Sequence, residues 1–372
     1  NFNILPPGPG DPATPLITGL YCIQGLAVGY DGTLYVSNPC DSEIYTVNTS
    51  GVAATFTTAV MNPGPLTFDA FGNLLAVSQN DGNIYKISPD EEVDTFVVGV
   101  YAGWLATAPD GSIWVGGGGG VNGPSEFGGP QVAAPVSGGL RHYDAMGTLV
   151  DSIVFETSQP GPFTFGPDGT LYYLGRSIVL GSAGGTDLNV PVGGDSLFKL
   201  VDGTPQALFG VPCCFSDLVI DGDGNFYLTN SEYGEVARYG PTGTLLEDPF
   251  ARTPNSPRFI RFGRDADGKP NTTLYISDYE EGGPRSPEMN PPTEGSELIS
   301  TLNPDAVDTP GVGNAAMDVL VDDDIAAALM GDPDALNDGE MDFLDFMGNQ
   351  NGEFDIGDLR AYLIYIGVLP EN

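Results

Sequence analysis

A short apolar strand, an Asp-Gly-like turn and a second apolar strand ending in a small or polar residue recur six times in the first three hundred residues. The copies are GLAVGYDGTLYVSN (25–38), PLTFDAFGNLLAVSQN (65–80), WLATAPDGSIWVGG (104–117), PFTFGPDGTLYYLG (162–175), DLVIDGDGNFYLTN (217–230) and RFIRFGRDADGKPNTTLYISD (258–278). Their turn glycines, Gly32, Gly72, Gly111, Gly169, Gly224 and Gly268, are 40, 39, 58, 55 and 44 residues apart. A third strand follows each copy, as in SEIYTVN (42–48) and EVARYGPTG (235–243), and a fourth follows in five of the six. Four strands per repeat at a period near 40 is the pattern of propeller blades. The sixth unit lacks a fourth strand after Asn303. TPLITG (14–19) stands ten residues before the first GLAV, as TFTTAV (55–60) stands ten before PLTF. The N-terminal segment is therefore expected to close the last blade as its outer strand, which removes a free edge. The expected fold is an all-β six-bladed propeller over 14–303, preceded by an extension (1–13) and followed by a linker (304–314) and a helical module (315–372).

Composition narrows the function. The 372 residues carry 12 basic and 50 acidic side chains, a formal net charge of −38. Nucleic acid and anionic membranes are disfavoured as partners, because both demand basic patches. His142 is the only histidine, which leaves little room for imidazole chemistry. Gly and Pro are abundant, at 53 and 32 residues, while aromatics at 10% speak against disorder; a β-rich chain with many tight turns reconciles the two. No run of eighteen apolar residues occurs, so no membrane-spanning helix is expected. The chain starts at Asn1 without a charged-then-apolar leader and reads as a processed, extracellular or cell-surface form.

The repeats resemble the six-bladed propellers of the NHL and SMP-30/gluconolactonase-like superfamily, on the pattern φ-x-φ-x-x-D-G-x-φ-Y-φ-[ST]. In lactonase relatives the resemblance implies a channel metal held by Glu, Asn and Asp from inner strands. The inner strands here begin at Gly25, Pro65, Trp104, Pro162, Asp217 and Arg258, mostly without ligand chemistry. An ion pair between Asp217 and Arg258 of neighbouring blades is the expected use of the two exceptions. There is no G-x-S-x-G elbow. The G-x-G-x-x-G inside GGGGGVNG (116–123) follows a blade strand and opens a Gly-Pro-rich loop rather than a helix, so it fails as a dinucleotide site. Asp31, Asp110, Asp168, Asp223 and Asp267 precede turn glycines and are read as hairpin residues. DGDGN (221–225) and DADG (265–268) imitate calcium-loop fragments only weakly. Long insertions near 116–138, 176–194 and 280–295 are candidate binding surfaces.

Four cysteines in an acidic, processed chain suggest disulfides outside the cytosol. Cys22 and Cys40 lie symmetrically about the Asp31–Gly32 turn and are expected to bridge. Cys213 and Cys214 are adjacent, either a vicinal disulfide or two buried thiols. Asn48 and Asn271 begin N-glycosylation triplets.

After Pro310 the apolar period becomes helical, with Met317, Leu320, Val321, Ile325 and Leu329 on one face of 315–331. GNQNGEFDIGDLRAYLIYIG (348–367) resembles half of a dockerin repeat. Asn349, Asn351, Asp355 and Asp358 fall at the third, fifth, ninth and twelfth loop positions, with Gly352 at the sharp turn. Met347 occupies the first position and cannot ligate a metal. Calcium is the candidate cofactor, set against a loop held by asparagine side chains.

The leading expectation is a secreted, non-catalytic structural or adhesive surface protein. It would assemble into filaments, with Phe2, Ile4 and Leu5 adding a strand to a neighbouring copy and the C-terminal module docking on itself or another surface protein. A metal-dependent hydrolase of the lactonase type and a monomeric ligand-binding propeller are the alternatives.

Overall fold

The computed structural model describes residues 11–20, 22–29, 32–48, 50–117, 139–155, 158–166, 168–183, 186–211, 215–231, 233–253, 256–263, 273–279 and 297–301. They form an all-β propeller with no helix. The described strands build six sheets, one per sequence repeat. In each, four antiparallel strands run outward from an innermost strand. These innermost strands are Gly25–Val28, Pro63–Phe68, Trp104–Thr107, Ser158–Phe165, Phe215–Ile220 and Ser256–Gly263. Each contacts the next, and the last contacts the first, so the sheets close into a ring.

The first hairpin of the sheets uses one loop five times over. At Ala108–Ser112 the Ala108 N–H donates to Ser112 O and the Gly111 N–H to Ala108 O. The same bonds recur at Gly29–Thr33, Asp69–Asn73, Gly166–Thr170 and Asp221–Asn225. Gly111 has φ 79°, the left-handed conformation that ends a type I turn in a bulge. Asp110 and Asp168 accept the N–H groups of Ser112 and Thr170, the hairpin role expected of them; Asp31 and Asp267 lie outside the described residues.

The core is divided among the seams between adjacent sheets. Ala27, Ile44, Leu66 and Leu74 fill the first seam, and Leu75, Val77, Leu105 and Ile113 the second. Second strands are covered on both sides, so Leu74–Ser78 is buried throughout, and alternation is lost there for a physical reason. Outermost strands are mostly exposed, as at Leu149–Val154.

The sixth sheet is completed from the other end of the chain. Thr14–Leu20 pairs antiparallel with Glu297–Thr301, Thr14 opposite Thr301. The residues just before it pair as well. Asp11–Pro12 pairs in parallel with Ala251–Arg252 of the chain's own fifth sheet, and the Ala13 N–H donates to Arg252 O at 2.8 Å. Ala13 is buried against Val219, Phe250 and Ile260. Residues 11–13 are thus held on an apolar seam of the chain's own ring; Phe2, Ile4 and Leu5, the residues expected to add a strand to a neighbouring copy, lie outside the described residues, as do the linker and the C-terminal module.

Candidate functional site

One end of the ring gathers the features that a binding site needs. First strands begin and second strands end there, since Gly25 pairs with Ser37, Trp104 with Gly116, Phe215 with Asn230 and Pro257 with Asp278. The connections from second to third strands leave from this end. Three are long: the chain between Gly117 and Gly139, the extended hairpin of Leu171–Ala183 with Thr186–Val201, and the chain between Tyr279 and Glu297. In the hairpin, Ile178–Ala183 pair with Thr186–Pro191, past the Ser158–Ser177 pair that is the last contact with the innermost strand.

Several polar side chains at this end hold the seams together. Ser37 Oγ donates to Gly64 O at 2.7 Å, Gln79 Nε2 to Ala102 O at 3.1 Å and Ser216 Oγ to Pro257 O at 2.8 Å, each crossing from one sheet to the next. Asn38 Oδ1 accepts the N–H groups of Cys40 and Asp41 and shapes the turn that follows.

The fifth and sixth sheets differ, because their innermost strands carry charge. Asp217 is buried. Its Oδ1 accepts the Leu218 N–H at 3.0 Å, and its Oδ2 accepts the Ile260 N–H at 3.1 Å and pairs with Arg261 Nη1. Arg261 Nη1 also donates to Ile260 O at 2.6 Å. Burial pushes the Asp217 carboxyl above the usual carboxylate range, with the Arg261 charge and the hydrogen bonds opposing it. The expected partner, Arg258, is replaced by Arg261. The register of the innermost strand shifts between Pro257 and Ile260, and the irregularity resets which arginine meets the fifth sheet. Arg258 stays half-buried on the same strand, its carbonyl accepting from Thr229 Oγ1.

The other expected site residues are scattered. Cys22 and Cys40 form the expected disulfide, at this end of the first sheet; Cys213 and Cys214 lie outside the described residues. Asn48 is exposed in a turn, its Oδ1 accepting the Ser50 and Val52 N–H groups, and Asn271 lies outside the described residues. So do Asn349, Asn351, Asp355 and Asp358. His142 stacks on Trp114, ring centroids 4.4 Å apart, in the third sheet.

The DGDGN segment resolves into a hairpin anchor. Asp221 Oδ1 accepts the Asp223 and Asn225 N–H groups, while Oδ2 accepts from Asn225 Nδ2 and the Tyr227 hydroxyl. Arg238 Nη2 lies 3.7 Å from that carboxylate and its guanidinium stacks over Tyr227. Asp69 makes the equivalent bonds to Phe71 and Asn73. These two buried carboxylates were missed by attention to the Asp before glycine; the usable signal was Asp at the first and Asn at the fifth turn position, shared by DAFGN and DGDGN.

A divalent cation in the ring would need several oxygen ligands converging. Asp217 is the one carboxylate on the six innermost strands, and Arg261 and two backbone N–H groups already engage it. Among the described residues no three His, Cys, Asp or Glu side chains converge. The innermost strands therefore present no converging set of acidic ligands for a channel metal among the described residues.

No family model matches the chain, and no curated protein matches it. The fold does recur among solved structures. A gluconolactonase from Xanthomonas campestris shares it at TM-score 0.56 and 18% identity, over 83% of this chain and 99% of that one. Regucalcin from Agrobacterium tumefaciens, described as a calcium-binding protein, does so at TM-score 0.55 and 14% identity, over 82% and 97%. A luciferin-regenerating enzyme does so at TM-score 0.55 and 13% identity, over 80% and 95%. The neighbours are thus gluconolactonase-type propeller proteins. They correct the expectation of a non-catalytic filament or adhesive subunit. That expectation rested on inner-strand starts mostly without ligand chemistry and on the two chain ends, neither of which bears on the fold that these neighbours share with the ring.

Proposed function

We propose that the chain is a six-bladed propeller enzyme of the lactonase type, working outside the cytosol. The observation that carries this reading is the likeness to the gluconolactonase across the whole ring, 83% of this chain and 99% of that one. Two features support it. The hairpin of Leu171–Ala183 with Thr186–Val201 extends past the innermost strand at one end of the ring, where it can wall a small-substrate site. The Cys22–Cys40 disulfide suits an oxidising compartment.

In lactone hydrolysis water adds to the carbonyl carbon, the ring C–O bond breaks, and the departing alkoxide takes up a proton to give a hydroxy acid. The innermost strands offer a fixed guanidinium, Arg261, that can hold the oxygen on which negative charge develops. Removing one such donor elsewhere costs roughly 10²–10³ in turnover.

The test is acid release from gluconolactone and other small lactones, followed by pH-stat with the purified full chain. Saturable turnover above the spontaneous rate is expected. No turnover across the lactones, with calcium, zinc and manganese each supplied, would overturn the reading.

A further inference from the structure

Positive charge is rare in this chain and unevenly placed. Five of its twelve basic residues, Arg238, Arg252, Arg258, Arg261 and Arg264, fall within 238–264. Four of them lie among the described residues: Arg238 and Arg252 on the outer strands of the fifth sheet, and Arg258 and Arg261 on the innermost strand of the sixth. We propose that the ring interior binds a small organic carboxylate through the Arg261 guanidinium, in place of a divalent cation.

Three observations lead there. First, the only carboxylate on the innermost strands is spoken for: Asp217 faces Arg261 and the N–H groups of Leu218 and Ile260. A metal ion seated on it would have to displace a guanidinium and then lie beside it. Second, Arg261 is held in place and not sealed in. Its Nη1 is fixed between Asp217 and Ile260 O, yet 16% of the side chain is exposed. A guanidinium has five donors in a rigid fork suited to a carboxylate, so anchoring through one nitrogen leaves an oriented edge. Third, with a net charge of −38 the protein repels anions over most of its surface. An anion can bind only where a fixed cationic donor offsets that repulsion, and Arg261 on an innermost strand is such a donor.

The proposal deepens the lactonase reading, because ring opening of a lactone yields a hydroxycarboxylate. Binding is nevertheless measured without turnover, so the two can fail separately. The experiment is titration calorimetry of the full chain in EDTA with sodium gluconate, and with glucitol as the uncharged control, at low and high salt. Saturable gluconate binding that weakens with salt, and no glucitol binding, is expected. Arg261→Gln should weaken gluconate at least tenfold, and Arg261→Lys less, because it keeps the charge and loses the fork. Asp217→Asn, which removes the competing carboxylate charge, should tighten gluconate. Circular dichroism and the melting midpoint of each variant separate loss of the site from loss of the fold, and the wild-type salt dependence stands without any variant. Absence of gluconate binding to the wild type in EDTA, binding that appears only after calcium is added, or affinity indifferent to Arg261→Gln would overturn the proposal. Gluconate binding with no lactone turnover would sink the lactonase reading alone. EDTA-sensitive turnover without gluconate binding in EDTA would sink this inference alone.

Discussion

Cys22 and Cys40 are bonded across one end of the first sheet, their Cα atoms 6.0 Å apart. Cys22 follows the ring-closing strand Thr14–Leu20 by two residues and precedes Gly25–Val28, while Cys40 follows Leu34–Asn38. The bond therefore ties the exit of the closing strand to the sheet that the chain enters next. A crosslink spanning 18 residues restricts the unfolded chain by about 3 kcal/mol. Reduction, or the pair Cys22→Ser with Cys40→Ser, is expected to lower the melting midpoint by several degrees. A midpoint indifferent to reductant would show that the closure holds without the bond.

Asp221 and Asp144 occupy the same first position of a hairpin loop with unequal consequences. Asp144 Oδ1 accepts the Met146 and Thr148 N–H groups in an exposed turn, where water can replace it. Asp221 is fully buried, and its removal strands Asn225, Tyr227 and Arg238. Asp144→Ala should cost about 1 kcal/mol, and Asp221→Ala about 3–5 kcal/mol, the scale for breaking a buried pair from one side. Urea unfolding of both variants checks the ranking; equal losses would mean that Arg238 finds another partner.

The sequence made the repeat legible because each hairpin carries its own turn chemistry, with glycine at the left-handed position and strand residues on either side. The closing strand could be read from a ten-residue offset, and the Cys22–Cys40 bridge from symmetry about the first turn. The Asp217 partner could not, since a bulge after Pro257 shifts the pairing by one residue and no local signal marks it. Nor could the capture of Asp11–Ala13, which rests on two residues of parallel pairing and one small buried side chain. The site was least legible, because residues some 40 to 58 positions apart become neighbours only through ring closure.

Asp69 and Asp81 both accept backbone N–H groups, yet their carboxyls move in opposite directions. Burial raises Asp69 above the usual 3.8, against opposing bonds from Asn73 and Phe71. At half-buried Asp81 burial also pushes upward, but bonds from Asn83, Tyr85 and Ser78 outweigh it and the net shift is down. Folded Asp69 holds its proton more tightly than the unfolded chain does. Its contribution is greatest at low pH and declines as pH rises from 3.8 through the raised value. Folded Asp81 holds its proton less tightly, so its contribution is complete above 3.8 and is lost as pH falls through the lowered value. Unfolding free energies across roughly pH 3–6 should show the wild-type advantage over Asp69→Asn shrinking as pH rises. The advantage over Asp81→Asn should shrink as pH falls. The reverse trend for either variant would assign the wrong term as dominant at that carboxyl.

Gly25 begins the first innermost strand at the loop-bearing end, and the backbone of the second sheet leaves it no room for a side chain. A Cβ there would run into Gly64 O and lie 2.9 Å from Ser37 Oγ and 3.1 Å from Leu66 N. Ser37 Oγ is itself bonded to Gly64 O, so the added methyl would wedge open the clamp that joins two sheets. Two of the three obstructing atoms are backbone and cannot swing away, and overpacking of this kind costs about 1–3 kcal/mol. Gly210, at the end of the outermost strand of the fourth sheet, meets nothing within 4 Å and does not need the left-handed conformation. Gly25→Ala should therefore lower the urea midpoint clearly. Gly210→Ala should leave it unchanged or raise it by the few tenths of a kcal/mol that a stiffer unfolded chain provides. If Gly25→Ala were neutral, the first and second sheets would have to slide apart without loss, and the ring would be looser at its loop-bearing end than the Ser37–Gly64 bond implies.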